Sequence, residues 1–118
     1  MDLTSLRAKY TTRGLDIKDL NPNPFLQFEI WFNEAMDAKL TEPNAFSLAT
    51  VGTDMMPSIR TVLLKIFDQK GFVFFTNYKS NKAKQIEENP KAAALFAWLD
   101  LERQVKIEGC IERISTTE

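Results

Sequence analysis

The sequence predicts a mainly β domain with flanking helices, an α+β chain whose antiparallel sheet curls into a barrel. Three observations carry this: one amphipathic helical stretch near the start, five later stretches with a period of two joined by short connections, and no internal repeat or low-complexity tract. With 118 residues, 44% hydrophobic and 26% charged, the chain is one ordinary soluble domain. A domain of this size buries roughly two thirds of the surface its unfolded chain exposes, enough for a core without disulfides or metals.

Residues 1–22 are mixed polar and read as a mobile N-terminal arm with room for one short helix, and residues 23–118 as the folded domain. Asn21-Pro22-Asn23-Pro24 separates the two. Asn23 supplies a capping side chain, and Pro24 suits the first helical position, where its missing N–H is no loss. Phe25, Phe28, Phe32, Ala35 and Met36, with Trp31 alongside, recur at helical spacing opposite Gln27, Glu29, Glu34, Asp37 and Lys39. That predicts a helix of about four turns ending before Pro43.

The period then changes to two. Phe46 to Val51 reads as a strand, Gly52 to Pro57 as a turn, and Ser58 to Phe67 as a second strand. On the second strand Arg60, Val62 and Leu64 share one face, and Thr61, Leu63 and Lys65 share the other. Asp68 to Gly71 makes a hairpin turn into a third strand, Phe72 to Thr76. Ser80 caps a short helix, Asn81 to Glu88, that Asn89-Pro90 stops. Ala92 to Trp98 and Arg103 to Ile114 complete the strands, joined by Leu99 to Glu102. Ser115-Thr116-Thr117-Glu118 reads as a capping box with no helix after it, so the chain is expected to be a fragment cut at an element boundary.

The composition excludes several chemistries. There is no histidine, which removes imidazole acid/base catalysis, the Ser-His-Asp and Cys-His nucleophile systems and the usual zinc sites; no metal site is expected. If the protein does chemistry, a cofactor carries it. Cys110 is the single cysteine, which argues for a reducing, cytoplasmic setting, and in the last strand it reads as a small buried residue. Met1 to Thr12 has no apolar stretch of the signal-peptide kind, and Ala92 to Leu99 is far too short to span a bilayer. The four glycines are scattered singly, which rules out a Gly-rich nucleotide loop.

Net charge is only −1, giving no case for nucleic acid or membrane partners, but its distribution is uneven. Arg60, Lys65, Lys70, Lys79, Lys82 and Lys84 face a single acid, Asp68, over residues 60–84. On charge alone this island reads as a solvated face of a hairpin and helix. The alternative is a phosphate cradle, with Ser80 and Lys82 at a helix N-terminus near Arg60 and Lys65. Gln104 at a strand start suits the edge of a flat heteroaromatic ring, though such a residue is usually just solvated. Phe72, Phe74, Phe75, Phe96 and Trp98 suit ring stacking, yet at strand spacing they read first as core. A small barrel with basic and aromatic residues also fits single-stranded nucleic acid, a reading the net charge disfavours.

Leu6-Arg7 with Tyr10-Thr11, Asn23-Pro24, Arg60-Thr61-Val62-Leu63-Leu64-Lys65, Phe75-Thr76-Asn77, Ser80-Asn81-Lys82-Ala83, Gln85-Ile86-Glu87 with Asn89-Pro90, and Leu101-Glu102-Arg103-Gln104-Val105 together resemble the pyridoxamine 5'-phosphate oxidase family. The resemblance extends over essentially the whole chain. It implies an antiparallel split β-barrel of the FMN-binding type, incomplete at its C-terminal end. It also implies a homodimer that oxidises pyridoxamine or pyridoxine 5'-phosphate to pyridoxal 5'-phosphate in vitamin B6 metabolism. Hydride would leave C4' of the substrate for flavin N5, with dioxygen as final acceptor.

Carried over by position, the resemblance puts FMN contacts on Arg60, Thr61, Val62, Leu63, Leu64, Lys65, Phe75, Thr76, Lys82 and Gln104. It puts substrate contacts on Arg7, Ala8, Lys9, Tyr10 and Lys65. Arg60 and Lys82 are expected at the FMN phosphate, Lys65 in phosphate recognition, and Gln104 at the flavin ring or at the dimer partner's site. No catalytic residue is assigned. Two departures stand out: Asn81 where the family usually has arginine, and Phe75 where it often has tyrosine. The resemblance places further substrate residues, histidine among them, in a C-terminal half outside these 118 residues. The alternative reading is therefore a non-catalytic split-barrel protein that binds FMN or another phosphate ligand without the substrate half-site.

Overall fold

The computed structural model describes residues 1–6, 15–76 and 80–114, the side chain of Asn81 excepted. Arg7, Ala8, Lys9 and Tyr10 of the arm and the capping box at 115–118 lie outside the described residues. Ahead of the domain, a short 3-10 helix occupies Ile17–Asp19, and Leu15 and Ile17 are exposed.

Helix α1 (Pro24–Asp37) begins where its capping chemistry dictates. The Asn23 side chain accepts from the Phe25 N–H at 2.9 Å, and Pro24 takes the first turn. The Gln27 side chain reaches back to accept from the Asn21 N–H at 2.6 Å, tying the helix to the segment before it. Lys39, in the left-handed region at φ 57°, turns the chain away. Phe28 and Ala35 are buried, while Phe25, Trp31 and Phe32 are half-buried. Met36, expected on the apolar face, is exposed, because it falls at the edge of that stripe in the last turn.

Five strands form one antiparallel sheet: β1 (Ala45–Val51), β2 (Pro57–Asp68), β3 (Gly71–Phe74), β4 (Lys91–Trp98) and β5 (Arg103–Cys110), in the order β3-β2-β1-β4-β5. Register fixes the faces. Phe46 pairs with Val62, Leu48 with Arg60 and Ala94, and Phe96 with Val105, so these side chains share the inner face. Thr61, Leu63, Ala93, Leu95, Ala97 and Gln104 point outward.

Both helices pack on the inner face. The Phe28 ring lies 4.8 Å from Phe67, 5.0 Å from Phe72, 5.1 Å from Phe96 and 5.9 Å from Trp98, centroid to centroid, so one helical residue gathers β2, β3 and β4 into the core. Helix α2 (Asn81–Glu88), capped by the Ser80 hydroxyl accepting from the Ala83 N–H at 3.1 Å, rests on β1 and β2 through Gln85. At the far edge Arg103 is ion-paired with Glu34 and lies 4.8 Å from the Trp31 ring centroid, which ties α1 to β5. The architecture expected from sequence, an antiparallel sheet with flanking helices, is the one observed.

Four local expectations are corrected. The strand alternation breaks at a register shift between Leu64 and Ile66: Lys65 and Ile66 are both exposed, and Phe67 rather than Ile66 turns into the core. The third strand ends at Phe74, because Phe75, 69% exposed, already leaves the sheet toward α2. The last strand ends at Cys110 rather than Ile114. Lys91 pairs with Cys110, and the preceding Pro90 offers its carbonyl to the Ile111 N–H at 2.8 Å but has no N–H to extend the ladder. Cys110 is exposed rather than buried, since alternation from Val105, Ile107 and Gly109 puts it on the outer face of an edge strand.

Candidate functional site

The most polar part of the inner face lies where α2 crosses β1 and β2. Ser58 and Arg60, two apart on β2, point to the same side, and Arg60 sits opposite Leu48. Arg60 Nη1 donates to the Leu48 carbonyl at 3.0 Å and to Thr50 Oγ1 at 2.7 Å, and its Nη2 donates to Gln85 Oε1 at 3.2 Å. The Thr50 hydroxyl donates to the same Gln85 oxygen at 2.7 Å, and Gln85 Nε2 donates to Ser58 Oγ at 2.9 Å. Thr50 and Gln85 are 3% and 8% exposed, so the bonds are shielded from competing water.

Every acceptor around Arg60 is neutral: a carbonyl, a hydroxyl and an amide. Among the described residues no carboxylate pairs with Arg60 or with Lys82. Burial lowers the affinity of Arg60 for its proton, and burial, followed by the nearby Arg60 charge, pulls the Lys82 pKa below its ordinary value. The Lys82 ammonium also lies 5.8 Å from the Phe74 ring centroid. Two partly desolvated like charges without a counter-ion form a site that an anion would stabilise.

Other features of the same region fit a phosphate group. Thr76 Oγ1 is buried without a hydrogen-bond partner, two residues past Phe74. The first turn of α2 begins at Ser80 and carries Lys82, so helix amides add to the positive potential there.

The remaining expected site residues are placed elsewhere. Lys65 is five residues beyond Arg60 on β2, roughly 16 Å along a strand, at the register shift. It borders a separate cavity of about 200 Å³ with Glu29, Asn33 and Phe32. Val62 and Leu64 are core side chains, while Thr61 and Leu63 are on the outer face. Gln104 is exposed on the outer face of β5, with β1 and β4 between it and the strand of Arg60 and on the opposite face, so one chain does not bring the two together. Phe75 is exposed beside the site. Gln85, Thr50 and Ser58 do not stand out from sequence as site residues. Their only signal is spacing: Ser58 with Arg60 on one strand face, and Lys82 with Gln85 on one helix face.

Comparison with known proteins identifies the family. The family model described as pyridoxamine 5'-phosphate oxidase matches residues 32–118. A pyridoxine/pyridoxamine 5'-phosphate oxidase of Aliarcobacter butzleri is 86% identical over all 118 residues, which cover 56% of that protein. The protein of the same name from Crocosphaera subtropica is 64% identical over the whole chain and 55% of its own length. The chain thus spans about half the length of the curated relatives it matches. Among solved structures, PhzG from Burkholderia lata, in complex with tetrahydrophenazine-1-carboxylic acid, superimposes with a TM-score of 0.75 at 29% identity, covering 79% of this chain and 46% of that one. A pyridoxamine 5'-phosphate oxidase-related, FMN binding protein from Nostoc punctiforme gives 0.63 at 24% identity, over 78% and 48%, and supports the fold alone. With a family model covering most of its length and these relatives matching it throughout, the chain belongs to the pyridoxamine 5'-phosphate oxidase family.

Proposed function

We propose that this chain carries the phosphate-binding part of an FMN site, in a protein that oxidises pyridoxamine or pyridoxine 5'-phosphate to pyridoxal 5'-phosphate with dioxygen as acceptor. The observation that carries the reading is the pair Arg60 and Lys82, which no carboxylate among the described residues compensates, together with the unpartnered Thr76 hydroxyl two residues past the Phe74 ring that Lys82 overlies. Arg60, Lys82, Thr76 and the first turn of α2 bind the phosphomonoester of FMN. When bound, FMN supplies the hydride acceptor and the route for electrons to dioxygen. The chain's own work is to fix that group and exclude water around its charge.

Lys65, at the register shift, serves the substrate phosphate, and Arg7 to Tyr10 cover the substrate. Gln104 reaches the flavin from a second copy of the chain. Its exposed position on the outer face of β5, opposite Ala97, supports that assignment. Homodimerisation through this face also covers Ile59, 70% exposed. No helix among the described residues is long and apolar enough to cross a membrane. We place the protein in the cytoplasm on its single, unpaired Cys110.

The test is to load the chain with FMN, supply pyridoxamine 5'-phosphate in air, and follow pyridoxal 5'-phosphate and peroxide. Equal formation of both supports the oxidase. Flavin co-eluting with the chain but giving no product would leave the non-catalytic binding protein as the reading.

A further inference from the structure

We propose that Gln85 is the positioning residue of the phosphate site, holding the Arg60 guanidinium through a neutral acceptor so that its charge stays available to a ligand. The inference rests on the reading of Arg60 and Lys82 as a phosphate site and adds to it the residue that sets Arg60.

A guanidinium has five N–H donors. Among the described residues three of those on Arg60 are used, two from Nη1 and one from Nη2, by Leu48, Thr50 and Gln85. The two left belong to Nε and Nη2, neighbouring nitrogens of the planar fork that grips a phosphate through paired bonds. Gln85 is the acceptor that comes from α2 rather than from the sheet, so it sets Arg60 relative to Lys82 on the same helix face.

The orientation of the Gln85 amide is fixed chemically. Oε1 must face Arg60, which cannot accept, and it also receives the Thr50 hydroxyl; Nε2 then meets Ser58 Oγ. A carboxylate in the same place would hold Arg60 more strongly and accept from the Ser58 hydroxyl, yet it would cancel the charge the site needs. The amide gives orientation without neutralisation.

The experiment measures FMN and riboflavin affinities, by flavin fluorescence, for the unsubstituted chain, Gln85→Leu and Gln85→Glu, with thermal midpoints for each. Riboflavin lacks the phosphate, so the ratio of the two affinities isolates it. Gln85→Leu is expected to weaken FMN about tenfold while changing riboflavin by less than about twofold. Gln85→Glu is expected to weaken FMN at least as much with a thermal midpoint equal to or above that of the unsubstituted chain. This variant keeps the size and the acceptor, and it carries the test if Gln85→Leu does not fold. Parallel loss of both ligands in Gln85→Leu, or unchanged FMN affinity in Gln85→Glu, overturns the proposal. An unsubstituted chain that binds FMN no better than riboflavin overturns the phosphate-site reading itself, and the role of Gln85 with it.

Discussion

Glu88 occupies the space that a side chain on Gly52 would need: its Oε2 lies 2.5 Å from where a Cβ on Gly52 would sit, and it accepts from the neighbouring Thr53 N–H at 3.0 Å. The end of α2 is thereby pinned to the turn between β1 and β2. Gly52→Ala is expected to push the carboxylate off Thr53 and destabilise the chain by about 1 kcal/mol, the worth of one such hydrogen bond. Denaturant midpoints of Gly52→Ala, Glu88→Ala and the double variant check this. The two losses should overlap rather than add.

Lys82 makes stability depend on pH with a definite sign. Its pKa is lowered from 10.5 in the folded chain, first by burial and then by Arg60, so the unfolded chain holds the proton more tightly. The protonated form therefore weakens folding below the lowered pKa, and the penalty disappears as pH rises through that value toward 10.5. Lys82→Met is expected to be more stable than the unsubstituted chain at pH 7, with the gap closing as pH rises through this window. Inorganic phosphate at pH 7 should stabilise the unsubstituted chain more than the variant. Thermal midpoints across pH, with and without phosphate, read both effects.

Phe28 reaches rings from three strands, and no small side chain replaces those ring pairs. Phe28→Ala is expected to cost about 3 to 5 kcal/mol, a large fraction of the stability of an ordinary domain. Phe25, half-buried and only 6.2 Å from Phe67 and Phe72, should cost clearly less when replaced by alanine. Equal losses at both positions in urea unfolding would contradict the central place of Phe28.

Local chemistry made much of this fold legible in the sequence. Asn23-Pro24 and Ser80 fix helix starts through one side-chain bond each, and period-two stretches fix the strands, because these signals act over a few residues. The register shift at Lys65 was not legible: Val62 to Phe67 is apolar apart from Lys65, so the pattern does not say which residue the shift exposes. The end of β5 was hidden for a different reason, since it depends on Pro90, just ahead of the neighbouring strand. In the site, Arg60 and Lys82 were legible as an island of positive charge. Gln85 was not, because a buried amide in a short polar helix looks like a solvated one until its partners on β1 and β2 are in place. The separation of Lys65 and Gln104 from Arg60 likewise depends on sheet order and face.

The central claim is that Arg60 and Lys82 hold a phosphate-bearing flavin. It is tested most directly by titrating FMN, followed by flavin fluorescence and co-elution on gel filtration, into the unsubstituted chain and into the Arg60→Gln/Lys82→Gln double variant. Saturable binding weakened on the order of a hundredfold in the double variant is the predicted result, because both cations proposed to bond the phosphate are removed at once. FMN binding of equal strength in both folded proteins would contradict it.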